Sequence, residues 1–252
     1  MPRTSRIACE SSIYHITARG VGQQIIFEDD EDRTEFMRLV ERRLPTDGVT
    51  VLAWCLMGNH FHLLVRGDLE SISQAMRAVL SKYALDFNLR HGRTGHLFQG
   101  RFFSEPIKDN AQFLAALRYI HQNPAKAGLS KGCDYRWSSY GQYVNSDSGG
   151  LCDTGLALDM AESVEALAKF HETQDERPPI KDGVQVRRRI SDEAAIALLN
   201  SRFGKNYARE AAALPKKERD AALAEMKAAG MSVRQIQRLT GIGFGIIAKA
   251  KA

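Results

Sequence analysis

Two histidines one residue apart, His60 and His62, lie inside the stretch Trp54-Cys55-Leu56-Met57-Gly58-Asn59-His60-Phe61-His62-Leu63-Leu64-Val65. In an extended chain successive side chains point to opposite faces, so the imidazoles share one face while Phe61 points the other way into a core. Two converging imidazoles make half of a metal site. A histidine beside apolar residues is more often satisfied in a core, so the pair gains weight only with a second group of suitable chemistry. About sixty residues on lies Arg118-Tyr119-Ile120-His121-Gln122-Asn123-Pro124, and residues four apart on a helix are neighbours on one face, so Tyr119 and Asn123 point the same way. An amide oxygen from Asn123 is a candidate third ligand beside His60 and His62, leaving positions for a phosphate and water. Nitrogen and neutral oxygen donors without thiolate fit Mg²⁺ or Mn²⁺, completed by phosphate oxygens, better than a structural zinc. Zinc and non-haem iron stay open on the residues alone, although no carboxylate stands out to complete an iron triad.

A tyrosine beside a metal-held phosphate has a specific use. With a free pKa of ~10 its phenol is a poor nucleophile at neutral pH unless the phenolate is stabilised, and a divalent ion neutralises and polarises a phosphodiester. Attack by Tyr119 would give a 5′-phosphotyrosine and release a 3′-hydroxyl. The new ester keeps the energy of the broken one, so a second 3′-hydroxyl can attack it without ATP. A helical tyrosine is more commonly a packing aromatic; the matching offset of Asn123, with Asn-Pro expected to close the helix, favours the chemical role. Tyr83, at a core-type helix position, is the main rival nucleophile and reads as structural, as do Tyr14 and His15.

The surrounding pattern has to position these groups. Ile13 to Gly20 alternates as a first strand, and acid from Asp29 to Asp32 opens a helix running to about Arg43 with Phe36, Leu39 and Val40 on one face. Val49 to Met57 and His60 to Arg66 read as two antiparallel strands joined at Gly58-Asn59. A helix from about Ser71 to Leu89, a fourth strand over Arg101 to Ile107 and a helix from Asn110 to Gln122, stopped by Pro124, complete a β-α-β-β-α-β-α order. That order suits an α+β, ferredoxin-like antiparallel four-stranded sheet with helices on one face. Residues 1–143 form the expected catalytic domain and 144–190 a linker region, rich at its ends in Asn, Ser, Asp, Gly and Pro. Residues 191–252 form a small all-α domain, whose Ser232-capped short helix, Thr240-Gly241-Ile242-Gly243 turn and last helix make a helix-turn-helix pattern.

The 252 residues are 44% hydrophobic and 26% charged, enough for a real core. Charge is uneven: Lys and Arg number 20 against 23 Asp and Glu over residues 1–180, but 15 against 7 over residues 181–252. A basic end segment without a long amphipathic Trp/Phe face favours nucleic acid over membrane. Cys9, Cys55, Cys133 and Cys152 show no C-x-x-C spacing and suggest reduced thiols in a cytoplasmic protein. The N-terminus lacks the apolar core of a signal peptide, and no apolar run approaches bilayer length.

The His60-Phe61-His62 stretch, with Tyr119-Ile-His-Gln-Asn-Pro-Ala-Lys-Ala-Gly-Leu129 downstream, resembles the HUH single-tyrosine (IS200-like) transposases, and within them the REP-associated tyrosine transposases. The resemblance covers roughly residues 5–130 and rests on both motifs together. It implies a ferredoxin-like fold, a divalent metal, single-stranded or hairpin DNA as substrate and a covalent tyrosine intermediate. His60 and His62 match the family's metal histidines, Tyr119 its nucleophile and Asn123 its polar helix ligand, where insertion-sequence members often carry Gln. Those members are dimers that complete each site with the partner's tyrosine, whereas longer REP-associated members act as monomers, so monomer and homodimer both stay open.

Further residues suit contacts to DNA. In Gly95-His96-Leu97-Phe98-Gln99-Gly100-Arg101, basic and aromatic residues interleave, with His96 and Arg101 the expected contacts. Arg66, ending the histidine strand, could hold a phosphate. In the tail, Ser232 to Ile242 resembles the helix-turn-helix of replication-initiator and sigma-factor type domains, with Arg234, Gln235, Arg238 and Lys249 expected on duplex DNA. The leading expectation is a metal-dependent single-strand nuclease and strand transferase; the alternative is a DNA-binding regulator that uses the same scaffold without cutting.

Overall fold

The computed structural model describes residues 7–145, 150–173, 211–229 and 231–250. The chain divides into two compact units, Met1–Val184 and Gln185–Ala252. The first contains β1 (Ile13–Arg19), α1 (Asp30–Arg43), β2 (Thr50–Leu56), β3 (His60–Arg66), α2 (Leu69–Arg90), β4 (Phe103–Ile107) and α3 (Asn110–Lys126), then α4 (Tyr140–Val144), α5 (Gly155–Ala161) and α6 (Val164–Glu172). The four strands form one antiparallel sheet in the order β2-β3-β1-β4. This is the ferredoxin-like arrangement the element order predicts.

The helices do not all lie on one face. On one side α1 and α2 bury Phe36, Val40, Ile72, Met76 and Tyr83 against Ile16, Phe61, Leu63 and Val65. On the other, α3 buries Phe113, Leu117 and Ile120 against Ile13, Leu52, Cys55 and Leu64, with Ala157 of α5 and Leu167 of α6 in the same cluster. The reason is in the strands. β2 and β3 are nearly continuous apolar runs, so both faces of the sheet need cover. Segment 144–190, expected as linker, therefore includes two helices of this second layer; its remainder over 174–190, like the expected start of the tail domain at 191, lies outside the described residues.

Helix phase is fixed by caps. Asp29 Oδ1 accepts the Asp32 N–H at the start of α1, and Asp109 Oδ1 accepts the Gln112 N–H at 2.7 Å at the start of α3. At the other end of α2, Arg90 reaches Asp29, Glu31 and the buried Asp32, joining the C-terminus of α2 to the N-terminus of α1. Pro124 does not stop α3. It sits in the last turn, and the helix continues to Lys126.

The second unit shows α7 (Lys216–Ala228), α8 (Val233–Thr240) and α9 (Phe244–Lys249) around Leu223, Met226, Ile236 and Ile247. Ser232 Oγ caps α8 by accepting the Gln235 N–H, and Gly241 ends it in the left-handed region at φ 72°. Among the described residues no helix is long and apolar enough to cross a membrane.

Candidate active site

The turn that presents His60 is held from three sides. The Asn59 carbonyl accepts the Gly20 N–H at 3.0 Å, and the Gly58 carbonyl accepts those of Ile26 and Phe27 at 2.9 and 3.1 Å. Gly20 must be glycine because of the turn that follows it, since a Cβ there would lie 2.1 Å from the Gln24 carbonyl oxygen. The Asn59 side-chain oxygen lies 2.7 Å from His60 Nδ1; as an acceptor it takes the Nδ1 proton and leaves Nε2 as the basic nitrogen.

His60 and His62 share the face covered by α3, with ring centroids 4.9 Å apart. Their neighbour on the same face is His15, which the sequence alone marks as structural. β1 and β3 pair with Thr17 opposite His62 and His15 opposite Leu64, so His15 is a diagonal neighbour of His62. The two rings stack with centroids 5.2 Å apart, and His15 Nε2 lies 3.0 Å from His62 Nδ1. Both histidines are fully buried. Burial first, and then the neighbouring His15 and His60, hold the His62 imidazolium well below its ordinary pKa, so the ring is neutral. Its Nε2 is buried and has no hydrogen-bond partner among the described residues.

An orphaned, neutral imidazole nitrogen beside a second imidazole is a donor set that fits a divalent metal. With the shared proton on His62 Nδ1 and donated to His15 Nε2, His62 Nε2 keeps its lone pair, the state that metal ligation at that atom requires. Among the described residues no group of three His, Cys, Asp or Glu could hold an ion, so any further ligands come from an amide, water or the substrate.

Tyr119 reaches this site from α3. Its ring meets His62 edge-on at 5.6 Å between centroids and His15 at 6.0 Å. Asn123 follows one turn later, half-buried. Because α3 runs through Pro124, it also carries Lys126, whose Nζ lies 5.4 Å from the centre of the Tyr119 ring. The seven-residue offset is readable in the sequence, but a helix stopped at Pro124 conceals it.

Behind Tyr119, α3 is anchored by a second buried histidine pair. His171 Nδ1 donates to the Leu167 carbonyl at 2.8 Å, so His171 Nε2, 2.9 Å from His121 Nδ1, accepts from it. His121 Nε2, at 2.8 Å, in turn accepts from Ser139 Oγ, which takes the Trp54 N–H of β2. Arg118 adds a bond to Thr173 Oγ1 at 2.6 Å and lies over the Phe170 ring. Ser139 is fully buried and cannot meet a substrate; the chain positions α3. Burial holds both histidines below their ordinary pKa. The unfolded chain binds their protons near pH ~6.5 and the folded chain only at lower pH, so stability present above that pH is lost as pH falls. We expect the unfolding free energy from urea titration to drop between pH 7.5 and 5, by up to about 1 kcal/mol per pH unit for each histidine. A His121→Asn variant should show a flatter dependence; an equal slope in the variant would remove the histidines as its cause.

The other expected contacts divide. Arg66 is not near the histidines: it sits at the far end of β3 from His60 and is paired with Asp153 at 2.9 Å. His96 and Arg101 are exposed, on the connection from α2 to β4. That connection crosses the His60 end of the sheet, where Phe98 bridges to Gly20 and the Gln99 N–H bonds the Arg19 carbonyl, Arg19 being opposite His60. In the tail, Arg238 and Lys249 are exposed. Gln235 is a correction: at 5% exposure its side chain belongs to the interior of the helical unit rather than to a surface for duplex DNA. The backbone of Arg234 lies in α8; its side chain is outside the described residues.

Comparison with known proteins finds matches to the first unit. Residues 8–123 match the family model described as transposase IS200 like. No curated protein matches the chain. Among solved structures, a REP-associated tyrosine transposase bound to a REP hairpin is similar at 19% identity and a TM-score of 0.47, covering 62% of this chain and 96% of that one. A putative transposase from Deinococcus radiodurans R1 is similar at 15% identity and a TM-score of 0.33, covering 44% of this chain and 91% of that one. The matched span holds the whole four-stranded sheet, both histidines and the tyrosine, and it is this part of the chain that is similar to the IS200-like transposases.

Proposed function

We propose that the first unit is a metal-dependent endonuclease and strand transferase for single-stranded or hairpin DNA, acting through a 5′-phosphotyrosine at Tyr119. The observation that carries this is the packing of Tyr119 edge-on against His62 and His15 of its own chain. A bound Mg²⁺ or Mn²⁺ would be held by His60 and His62, with the Asn123 amide as third ligand, and would polarise the scissile phosphodiester.

The chain's own groups account for the rest. His15 fixes the tautomer of His62, and Asn59 that of His60. The Tyr119 oxygen attacks phosphorus; the bond from phosphorus to the 3′-oxygen breaks, and the proton lost by the phenol is balanced by one gained at the 3′-oxygen. Lys126 stands where its charge favours both the phenolate and the phosphate. The same ester is reopened when a second 3′-hydroxyl attacks it. His96 and Arg101 hold the strand at the His60 end of the sheet, while Arg238, Lys249 and Arg234 of the tail take duplex DNA. The test is incubation with labelled hairpin DNA and Mn²⁺. A covalent adduct whose modified peptide contains Tyr119 is expected; hairpin binding without any adduct would instead support a non-cleaving regulator.

His15 gives a separate expectation. His15→Phe keeps a ring of similar width but loses the acceptor for His62 Nδ1, so Mn²⁺ affinity measured by calorimetry without DNA should fall about 10–100-fold. Unchanged affinity would remove His15 from the site.

A further inference from the structure

Most arginines of the sheet unit are already committed. Arg33, Arg38, Arg43, Arg90, Arg93 and Arg136 each hold a carboxylate. Arg77 and Arg101 are exposed and make no ion pair or hydrogen bond among the described residues. They come from separate elements, yet both line one groove of about 440 Å³ between α2 and the turn before β4. From α2 come Glu70, Gln74, Arg77 and Leu80, spaced three or four apart and so forming one stripe. Arg101 and Phe102 come from the facing turn, which Gly100 shapes at φ 74°.

The chemistry of this groove is mixed in a way that selects a ligand. Two unpaired guanidiniums call for an anion with paired oxygens, a carboxylate or a phosphate, and the single-stranded DNA read as substrate supplies phosphate. Leu80 and Phe102, both largely buried, give it an apolar floor. Glu70 is the one acid in the lining; its Oε1 accepts from Gln74 Nε2 at 3.2 Å and it makes no ion pair among the described residues. A simple polyanion would be repelled there, whereas a nucleobase with an amino edge would bond to it. Location agrees. β4 is an edge strand and its first residue, Phe103, pairs with Thr17, which pairs with His62. The turn carrying Arg101 is thus two strands from the candidate metal site, roughly 10 Å across the sheet, and the groove opens on the α2 face, so a strand from the α3 face reaches it by passing round the β4 edge.

We propose that this groove binds one unpaired nucleotide of the DNA strand, with its phosphate on Arg77 and Arg101, its base over Leu80 and Phe102, and an amino edge, as in cytosine or guanine, toward Glu70. The proposal rests on the reading of single-stranded DNA as substrate and deepens it: the groove holds a nucleotide that continues past the edge of β4 from the phosphodiester held at the histidines.

The test compares binding of two fluorescent hairpins, one blunt and one with a short single-stranded extension, to the full chain by anisotropy across a salt series. The Arg77→Ala, Arg101→Ala double variant should lose about tenfold in affinity for the extended hairpin, with its salt slope reduced by about 0.7 per arginine, and keep its affinity for the blunt one. Glu70→Gln should weaken the preference for cytosine or guanine over thymine in the extension. Unchanged binding of the extended hairpin, or equal loss on both hairpins, would overturn the groove. Binding is read without cleavage. A wild type that prefers the extension through Arg77 and Arg101 but forms no adduct would therefore keep the groove and sink the transferase reading; one that forms the adduct with no preference for the extension would do the reverse.

Discussion

Replacing Tyr119 with phenylalanine is expected to lower covalent adduct formation by about 10³-fold or more while leaving hairpin affinity unchanged. Only the hydroxyl is lost. The ring packs at the edge of the cluster that holds Leu117 and Ile120 and touches both buried histidines through its edge, contacts that phenylalanine preserves. Three other described tyrosines have their hydroxyls engaged elsewhere. The hydroxyl of Tyr83 donates to the Ile26 carbonyl, and burial raises its pKa; that of Tyr143 donates to the Leu52 carbonyl, and the Tyr14 oxygen accepts the Cys9 N–H. An adduct formed by Tyr119→Phe at the wild-type rate would move the nucleophile off α3 and sink the mechanism.

Loss of His62 should be as severe by a different route. His62→Gln removes the orphaned Nε2, and Mn²⁺ affinity should fall by more than about 100-fold, with adduct formation lost in parallel. Glutamine keeps an amide that can still meet His15, so the fold should hold. His62→Ala would in addition leave His15 Nε2 without its partner, at a cost of about 1–3 kcal/mol. Calorimetry with Mn²⁺ and a urea titration on the two variants separate metal loss from fold loss. If His62→Gln binds Mn²⁺ like the wild type, then the histidine pair is not the metal site.

The sheet and its two central histidines are legible in the sequence because both rest on local periodicities. Alternation puts His60 and His62 on one face, and helical spacing puts Tyr119 on a face of α3. What is not legible depends on contacts distant in sequence. His15 joins the site through the register of β1 against β3, which the strand sequences do not state. His121 and His171 find each other only because α6 packs on α3, and α6 lies in a stretch that composition marks as linker. Pro124 misleads for a local reason: a proline costs most in a helix interior, but near the end of α3 the bond it removes is cheap to lose. The helix therefore runs on to Lys126. Gln235 shows the same limit in the tail: its polar type suggests an outer position, but it stands beside Ile236 on the buried side of α8.

The tyrosine and the histidines it touches belong to one chain, and α3 is tied down behind the tyrosine by Ser139, His121 and His171. This has a kinetic meaning. On the proposed mechanism each molecule carries its own tyrosine and histidines, so cleavage should be first order in protein, and the adduct formed per chain should not change on dilution. An enzyme that borrows its tyrosine from a second copy would lose activity as its concentration falls below that of assembly. On the proposed mechanism, with α3 held in place, the rate of strand joining should follow the supply of incoming 3′-ends.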